Sequence, residues 1–342
     1  MWRFLDSLKS LVIRLILLFF ISVLLAVIIN GIIKVGEIKN GYEGEYKNMY
    51  PTIDGKAMNL YVSGSGEKTI LIMPGFGVGN PEVYYKPIVS MLDDKYRVVV
   101  VDYLGYGFSS ENKKDRKSEN IINEVRQALI NAEIFGPYIL MPHSMSNIYA
   151  TYYANTHPNE VKGIIGIDGI APNLLKEQAY VDEITETVLN TRLCYAAEKF
   201  AVIRILKAFD PGKLDIDKYD DKMYFTDEDR DFIDQYFCVN YLTTTMLIEA
   251  GEIQNNIKAL EGTVYNEQLP VLQMIATETE SESQKLKEDG SVEKTKKELM
   301  IESFGNNQIH MIIDVNGGHM LNFDNPTAVA ANAISFIDGY IH

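Results

Sequence analysis

Cysteine is nearly absent. The 342 residues hold two, Cys194 and Cys238. No C-x-x-C pair and no Cys/His spacing of the kind that holds zinc occurs, so no metal site is expected. Sequence alone leaves the pairing of the two thiols open. Positive charge is also short: 32 Lys and Arg against 47 Asp and Glu give a formal net charge of −15. That excludes the basic surface a nucleic-acid partner requires. An acid-rich run from Asp215 to Asp234 lacks the spacing and the glycine of a calcium loop, and reads as a solvated face. Histidine is scarce, which keeps the candidate general bases to five: His143, His157, His310, His319 and His342.

From Leu15 to Ile33 charge of either sign is missing, and Leu, Ile, Val and Phe dominate. About 20 apolar residues at ~1.5 Å each cross a ~30 Å hydrocarbon core. The stretch exceeds a usual signal-peptide core and is not clearly followed by a small-x-small cleavage site, so it reads as an anchor, with residues 11–33 in the membrane. Arg3, Lys9 and Arg14 precede the span or snorkel at its start, and Lys34, Glu37 and Lys39 follow. The positive-inside rule favours an inside N-terminus and an extracytoplasmic remainder.

What is present beyond residue 40 is alternation. Apolar residues make up 46% of the chain, enough for a sizeable core. Continuous apolar runs at Lys68–Met73, Tyr96–Val101, Tyr138–Met141, Val161–Asp168 and Leu269–Ala276 read as buried strands, and the segments between several of them read as helices. Strands alternating with helices predict an α/β fold with a mainly parallel sheet. Residues 173–265 interrupt the rhythm with helical stretches only, among them Arg192–Phe209 and a start at Thr226 with acids behind it. The expected division is an anchor and linker over 1–40, a first core part over 41–172, a helical insertion over 173–265 and a second core part over 266–342.

One strand leads into chemistry. Tyr138–Met141 ends at Pro142-His143-Ser144-Met145-Ser146, after which a helix follows. A serine on a tight strand-to-helix turn is lifted into the open, and the backbone N–H after it faces a forming negative charge at a helix start. This turn resembles the G-x-S-x-G nucleophile elbow of the α/β-hydrolase superfamily, with Pro142 and Ser146 in place of the two glycines. Pro74-Gly75-Phe76-Gly77 resembles that family's H-G-x-G oxyanion loop, with Pro74 in place of His. The segment Asp102 to Ser110 looks like its D-x-x-G-x-G-x-S loop, and Gly317-Gly318-His319 like its histidine loop. His143, adjacent to Ser144 on a tight turn, points away from it and suits a packing or hydrogen-bonding role.

The resemblance implies an α/β-hydrolase fold with a helical cap, Ser144 as nucleophile, His319 as base, and the backbone N–H groups of Phe76 and Met145 as oxyanion donors. It implies a catalytic acid after the strand that ends at Ala276, where no aspartate stands. Glu278 and Glu280 flank that position, Asp168 ends the preceding strand, and the two glutamates together rank just ahead of Asp168. The expected function is a membrane-anchored serine hydrolase of the esterase/lipase or peptidase/amidase kind. It would act without a cofactor on a small-molecule, lipid or peptide ester, thioester or amide. The alternative is a non-catalytic relative that binds ligands at the membrane, which Pro142 and the missing aspartate favour.

Overall fold

The computed structural model describes residues 2–41, 49–52, 54–209, 224–227, 229–230 and 242–342. Helix α1 (Trp2–Gly41) contains a segment, Lys9–Lys34, long and apolar enough to cross a membrane, whose apolar side chains are mostly exposed and in which Asn30 is buried. After it come strands β1 (Met49–Pro51), β2 (Ala57–Ser63) and β3 (Thr69–Met73), helix α2 (Pro81–Leu92), strand β4 (Arg97–Val101) and helix α3 (Ser118–Asn131). Strand β5 (Tyr138–Pro142), helix α4 (Ser146–Thr156) and strand β6 (Val161–Ile167) follow. Helices α5 (Gln178–Lys199), α6 (Val202–Phe209) and α7 (Thr244–Lys258) precede strand β7 (Val271–Ala276). Helices α8 (Thr277–Glu288) and α9 (Lys296–Phe304), strand β8 (His310–Val315), and helices α10 (Leu321–Asp324) and α11 (Pro326–Tyr340) complete the order.

The sheet runs β1-β2-β4-β3-β5-β6-β7-β8. β2 is antiparallel to both its neighbours, and every other pair is parallel. Strands β3, β5 and β7 are buried at every position, as unbroken apolar runs demand when helices cover both faces. One face packs on α3 and α4 through Ile121, Val125, Leu129 and Tyr149. The other packs on α2 and α11 through Ile88, Leu92, Val329 and Phe336. Each such aliphatic side chain, fully buried, contributes roughly 1.5–3 kcal/mol.

Local chemistry sets the helix ends. Pro81 opens α2 behind Asn80, and Asn325 accepts from Ala328 N–H ahead of Pro326 at the start of α11. Thr295 and Glu298 close a reciprocal capping box on α9. Thr226 accepts from Asp229 N–H while Asp229 accepts from Thr226 N–H. The expected single helix over Arg192–Phe209 is instead two, broken at Ala201, whose φ of +62° no helix can hold. Residues 277–282, where the resemblance places the catalytic acid, are the first turns of α8, which leaves β7 without a loop. Most of the Asp215–Asp234 run, and Cys238, lie outside the described residues; Cys194 is a free thiol.

Among the helices between β6 and β7, α7 bonds directly into the loops of the sheet. Thr243, its N-cap, donates to Gly105 O, and Thr245 exchanges hydrogen bonds with the backbone of Asn112. Asn256 accepts from Ser118 N–H and donates to Arg116 O. In the loop after β4, Asp102 accepts from Asn59 and from Phe108 N–H. At Gly107, with φ of +46°, a Cβ would fall 2.0 Å from Asp102 Oδ2, so this aspartate shapes the loop and the glycine makes room for it.

Candidate active site

Ser144 sits between β5 and α4 with φ of +54°, a left-handed conformation that a non-glycine residue holds only where its surroundings impose it. Those surroundings are backbone bonds on both sides of the sheet. His143 N–H donates to Met73 O at 3.0 Å, Ser144 N–H to Ile167 O at 3.1 Å, and Ile170 N–H to Ser144 O at 3.1 Å. The missing donor of Pro142 is therefore confined to one strand-end position, with the ladder resuming at once beyond it. Ser146, where the motif has glycine, is fully buried and uses its hydroxyl. It donates to Pro74 O and lies 2.9 Å from Tyr103 Oη, tying the elbow to the Pro74–Gly77 loop.

Across from Ser144 is His319, in the loop between β8 and α10. Its Nε2 lies 2.9 Å from Ser144 Oγ, and its Nδ1 lies 2.6 Å from Asp168 Oδ2. A carboxylate only accepts, so Nδ1 carries the proton and Nε2 is free to accept from the serine hydroxyl. Asp168, the residue after β6, has φ of +42° and a side chain only 3% exposed. Its Oδ1 accepts from Ala276 N–H at 2.9 Å, and its Oδ2 also accepts from Thr279 Oγ at 2.7 Å.

The structure brings Asp168 to His319 and leaves both glutamates elsewhere, against their expected rank. Because α8 starts directly at Thr277, Glu278 is carried out to solvent beside Gly318. Glu280 accepts from Gln284 and from Lys297 N–H. Thr279, between them, is what the helix start turns toward Asp168, and no sequence signal marks it. Removing its hydroxyl while keeping its shape, in Thr279→Val, deletes a hydrogen bond to an ionised group, worth about 1.5–3 kcal/mol. Steady-state kinetics should show kcat/KM falling at least about tenfold.

Two tyrosine hydroxyls fix the loop that carries Phe76. Gly75 N–H donates to Tyr85 Oη at 3.2 Å and Gly77 N–H to Tyr106 Oη at 3.3 Å. Tyr106 in turn donates to Glu249 on α7, as does Tyr149. Among the described residues no acceptor meets the N–H groups of Phe76 and Met145. Both residues line the same cavity as Ser144 and His319. Gly75 is required here: a Cβ would stand 2.7 Å from His143 Nδ1.

His143 is completely buried and bonded at both nitrogens. Nε2 donates to His319 O at 3.0 Å, and Nδ1 accepts from Tyr85 Oη at 2.9 Å. Burial, reinforced by the neighbouring His319, lowers its pKa to about 4. The unfolded chain binds that proton near pH 6.5, so the stability this residue contributes is complete above pH 6.5 and is lost as pH falls toward 4. The loss amounts to about 3 kcal/mol. Urea midpoints recorded from pH 7 down to 4.5 should fall more steeply for the wild type than for His143→Gln; parallel curves would contradict this.

The cavity has a volume of about 440 Å³. Its walls are apolar, from Ile170, Leu174, Ile184, Ile253 and Ile275, and its rim carries Glu183, Glu282 and Lys296. Among the described residues no group of three or more His, Cys, Asp or Glu side chains is arranged to hold a metal ion.

A family model described as alpha/beta hydrolase fold matches residues 68–190, from β3 into α5. The uncharacterized protein YbdG of Bacillus subtilis (strain 168) is 40% identical over 116 residues, 34% of this chain and 36% of that one. The match therefore spans little more than a third of that relative's length. In three dimensions the chain is similar to epoxide hydrolase CorEH, with a TM-score of 0.62 and 16% identity over 85% of this chain and 98% of that one. It is also similar to a thermophilic esterase from Thermogutta terrifontis, with a TM-score of 0.59 and 14% identity over 86% of this chain and 98% of that one. The sheet order, the sequence match around the elbow and the likeness in three dimensions along most of the chain agree: this protein has the α/β-hydrolase fold.

Proposed function

We propose that the protein is a membrane-anchored serine hydrolase that cleaves an ester, thioester or amide through an acyl-enzyme on Ser144. The observation that carries this is the continuous relay from Ser144 Oγ through His319 to Asp168, at 2.9 Å and 2.6 Å. A hydroxyl is a poor nucleophile at neutral pH, and a base within hydrogen-bond reach, itself oriented by a carboxylate, corrects that. Ser144 Oγ attacks the carbonyl carbon while His319 Nε2 takes its proton, and Asp168 stabilises the resulting imidazolium. The oxyanion meets the N–H groups of Phe76 and Met145, each worth about 3 kcal/mol to the transition state. His319 then returns the proton to the leaving group, and a water activated by the same imidazole releases the acyl chain.

A serine rather than an aspartate nucleophile separates this reading from epoxide and halide chemistry on the same fold. The apolar walls and ~440 Å³ volume suit an acyl group of medium length. Lys9–Lys34 supplies the anchor in this reading, with an extracytoplasmic catalytic domain. A fluorophosphonate probe tests the chemistry: the wild type should be labelled at Ser144, and Ser144→Ala should not. An unlabelled wild type, folded by circular dichroism, would leave the relay without a reaction.

A further inference from the structure

Around Asn30 and Lys34, α1 is bonded to α5, which helps wall the cavity, and to α6. Asn30, 6% exposed, donates to Glu198 O at 2.8 Å and accepts from Arg204 Nε at 2.6 Å. Lys34 donates to Glu198 Oε1 at 3.1 Å. Ile32 and Ile33, beyond Asn30 in the chain, are still exposed and apolar. If the hydrocarbon reaches them, it also reaches the level of Asn30, and with it the C-terminal end of α5 and the start of α6.

The surface of those two helices changes character at that level. Along one strip of α5, at alternating three- and four-residue steps, the exposed residues are first Asp182 and Glu186, then Leu189, Leu193 and Ala196, with Phe200 just past the helix end. Leu189, Leu193 and Phe200 are each at least 50% exposed. Past the break at Ala201, α6 continues with Val202, Ile205 and Leu206, 39–59% exposed. Lys34, Lys199 and Arg204 stand beside this apolar surface, where cations meet lipid headgroups. The polar half of the strip is the half that faces away from α1.

We propose that the outer face of α5 and α6, from Leu189 to Leu206, rests in the lipid bilayer, and that the substrate is an acyl ester or amide drawn from that bilayer. This rests on the reading that Lys9–Lys34 crosses the membrane. Continuity is the argument for lipid over a protein partner: the exposed apolar surface of α1 runs into that of α5 and α6 where Asn30 and Lys34 bond to Glu198 and Arg204. Glu183, Ile184 and Thr187, which line the cavity, lie on the same helix. From Thr187 to Glu198 is about 16 Å at 1.5 Å per residue. A lipid acyl chain thus has a short route from the membrane surface to Ser144.

The test uses the full chain in vesicles, with Trp2→Phe to remove the single native tryptophan. Single tryptophans are then placed at Phe200, Ile205, Ile28 and Phe135, one per protein, the last being 65% exposed on the far side of the core. Brominated phosphatidylcholine is the quencher. Phe200→Trp and Ile205→Trp should emit to the blue and lose at least half of their intensity, as should Ile28→Trp, while Phe135→Trp stays unquenched. Water-like, unquenched emission from both Phe200→Trp and Ile205→Trp beside a quenched Ile28→Trp overturns the docking and leaves the anchor standing. Blue emission without bromine quenching at those two positions points to a protein partner and overturns it too. An unquenched Ile28→Trp removes the anchor and the inference together, whereas the fluorophosphonate result bears on the chemistry alone.

Discussion

Replacing Asp168 by asparagine is expected to lower kcat about 10⁴-fold with the fold intact. The direction follows from the bonds around the carboxylate. Ala276 N–H requires an acceptor at Oδ1, so the new amide places its NH₂ at the Oδ2 position, facing His319. His319 Nδ1 must then accept, its proton moves to Nε2, and the imidazole offers Ser144 a donor where the reaction needs a base. Glu278→Gln and Glu280→Gln, whose carboxylates do not reach His319, should turn over at the wild-type rate. Steady-state kinetics on a p-nitrophenyl ester, with circular dichroism to confirm folding, decides between them. A large loss in Glu280→Gln with activity retained in Asp168→Asn would move the acid to α8.

The largest effect on stability is expected from Glu124→Gln. Arg116 and Glu124 form an ion pair at 2.7 Å with side chains 0% and 3% exposed. Both oxygens of Glu124 accept from Arg116 Nη1, and one also accepts from Asn112. Arg116 Nε and Nη2 have no partner among the described residues, so the guanidinium depends heavily on this carboxylate. Neutralising Glu124 leaves a buried cation with too little to offset its lost hydration, at a cost of about 3–5 kcal/mol. Urea denaturation should show that loss. The double replacement Arg116→Met with Glu124→Leu should recover much of it, because an apolar pair carries no desolvation cost.

Those two sites also show what could be read beforehand and what could not. The runs Thr69–Met73 and Arg97–Val101 announced buried parallel strands because both faces of such strands are covered. The approach of His319 to Ser144 was legible because a sharp strand-to-helix turn carries one and a glycine-rich loop the other, and both leave local marks. The carboxylate that meets His319 leaves none. Asp168 and His319 are 151 residues apart, and their meeting depends on β7 passing directly into α8. Nothing within Thr277–Glu282 distinguishes that from the loop the family resemblance implied. The tyrosines behind Gly75 and Gly77 were hidden for a similar reason: a hydroxyl reaching across the sheet has no period in sequence. The break at Ala201 lacks the glycine that would have announced a positive φ.

The hydrogen bonds of α7 decide where this protein can be cut and rejoined. Thr243, Thr245, Glu249 and Asn256 all fasten that helix to loops of the sheet, and Glu249 holds Tyr106, which holds Gly77. A chimera that borrows the helices between β6 and α7 from another protein of this fold must therefore splice between Glu177 and Thr243 and keep α7 as its own. A junction placed downstream of α7 would discard the outer brace of the Phe76 loop along with those helices, and the hybrid would fold around a slackened cavity wall beside Ser144.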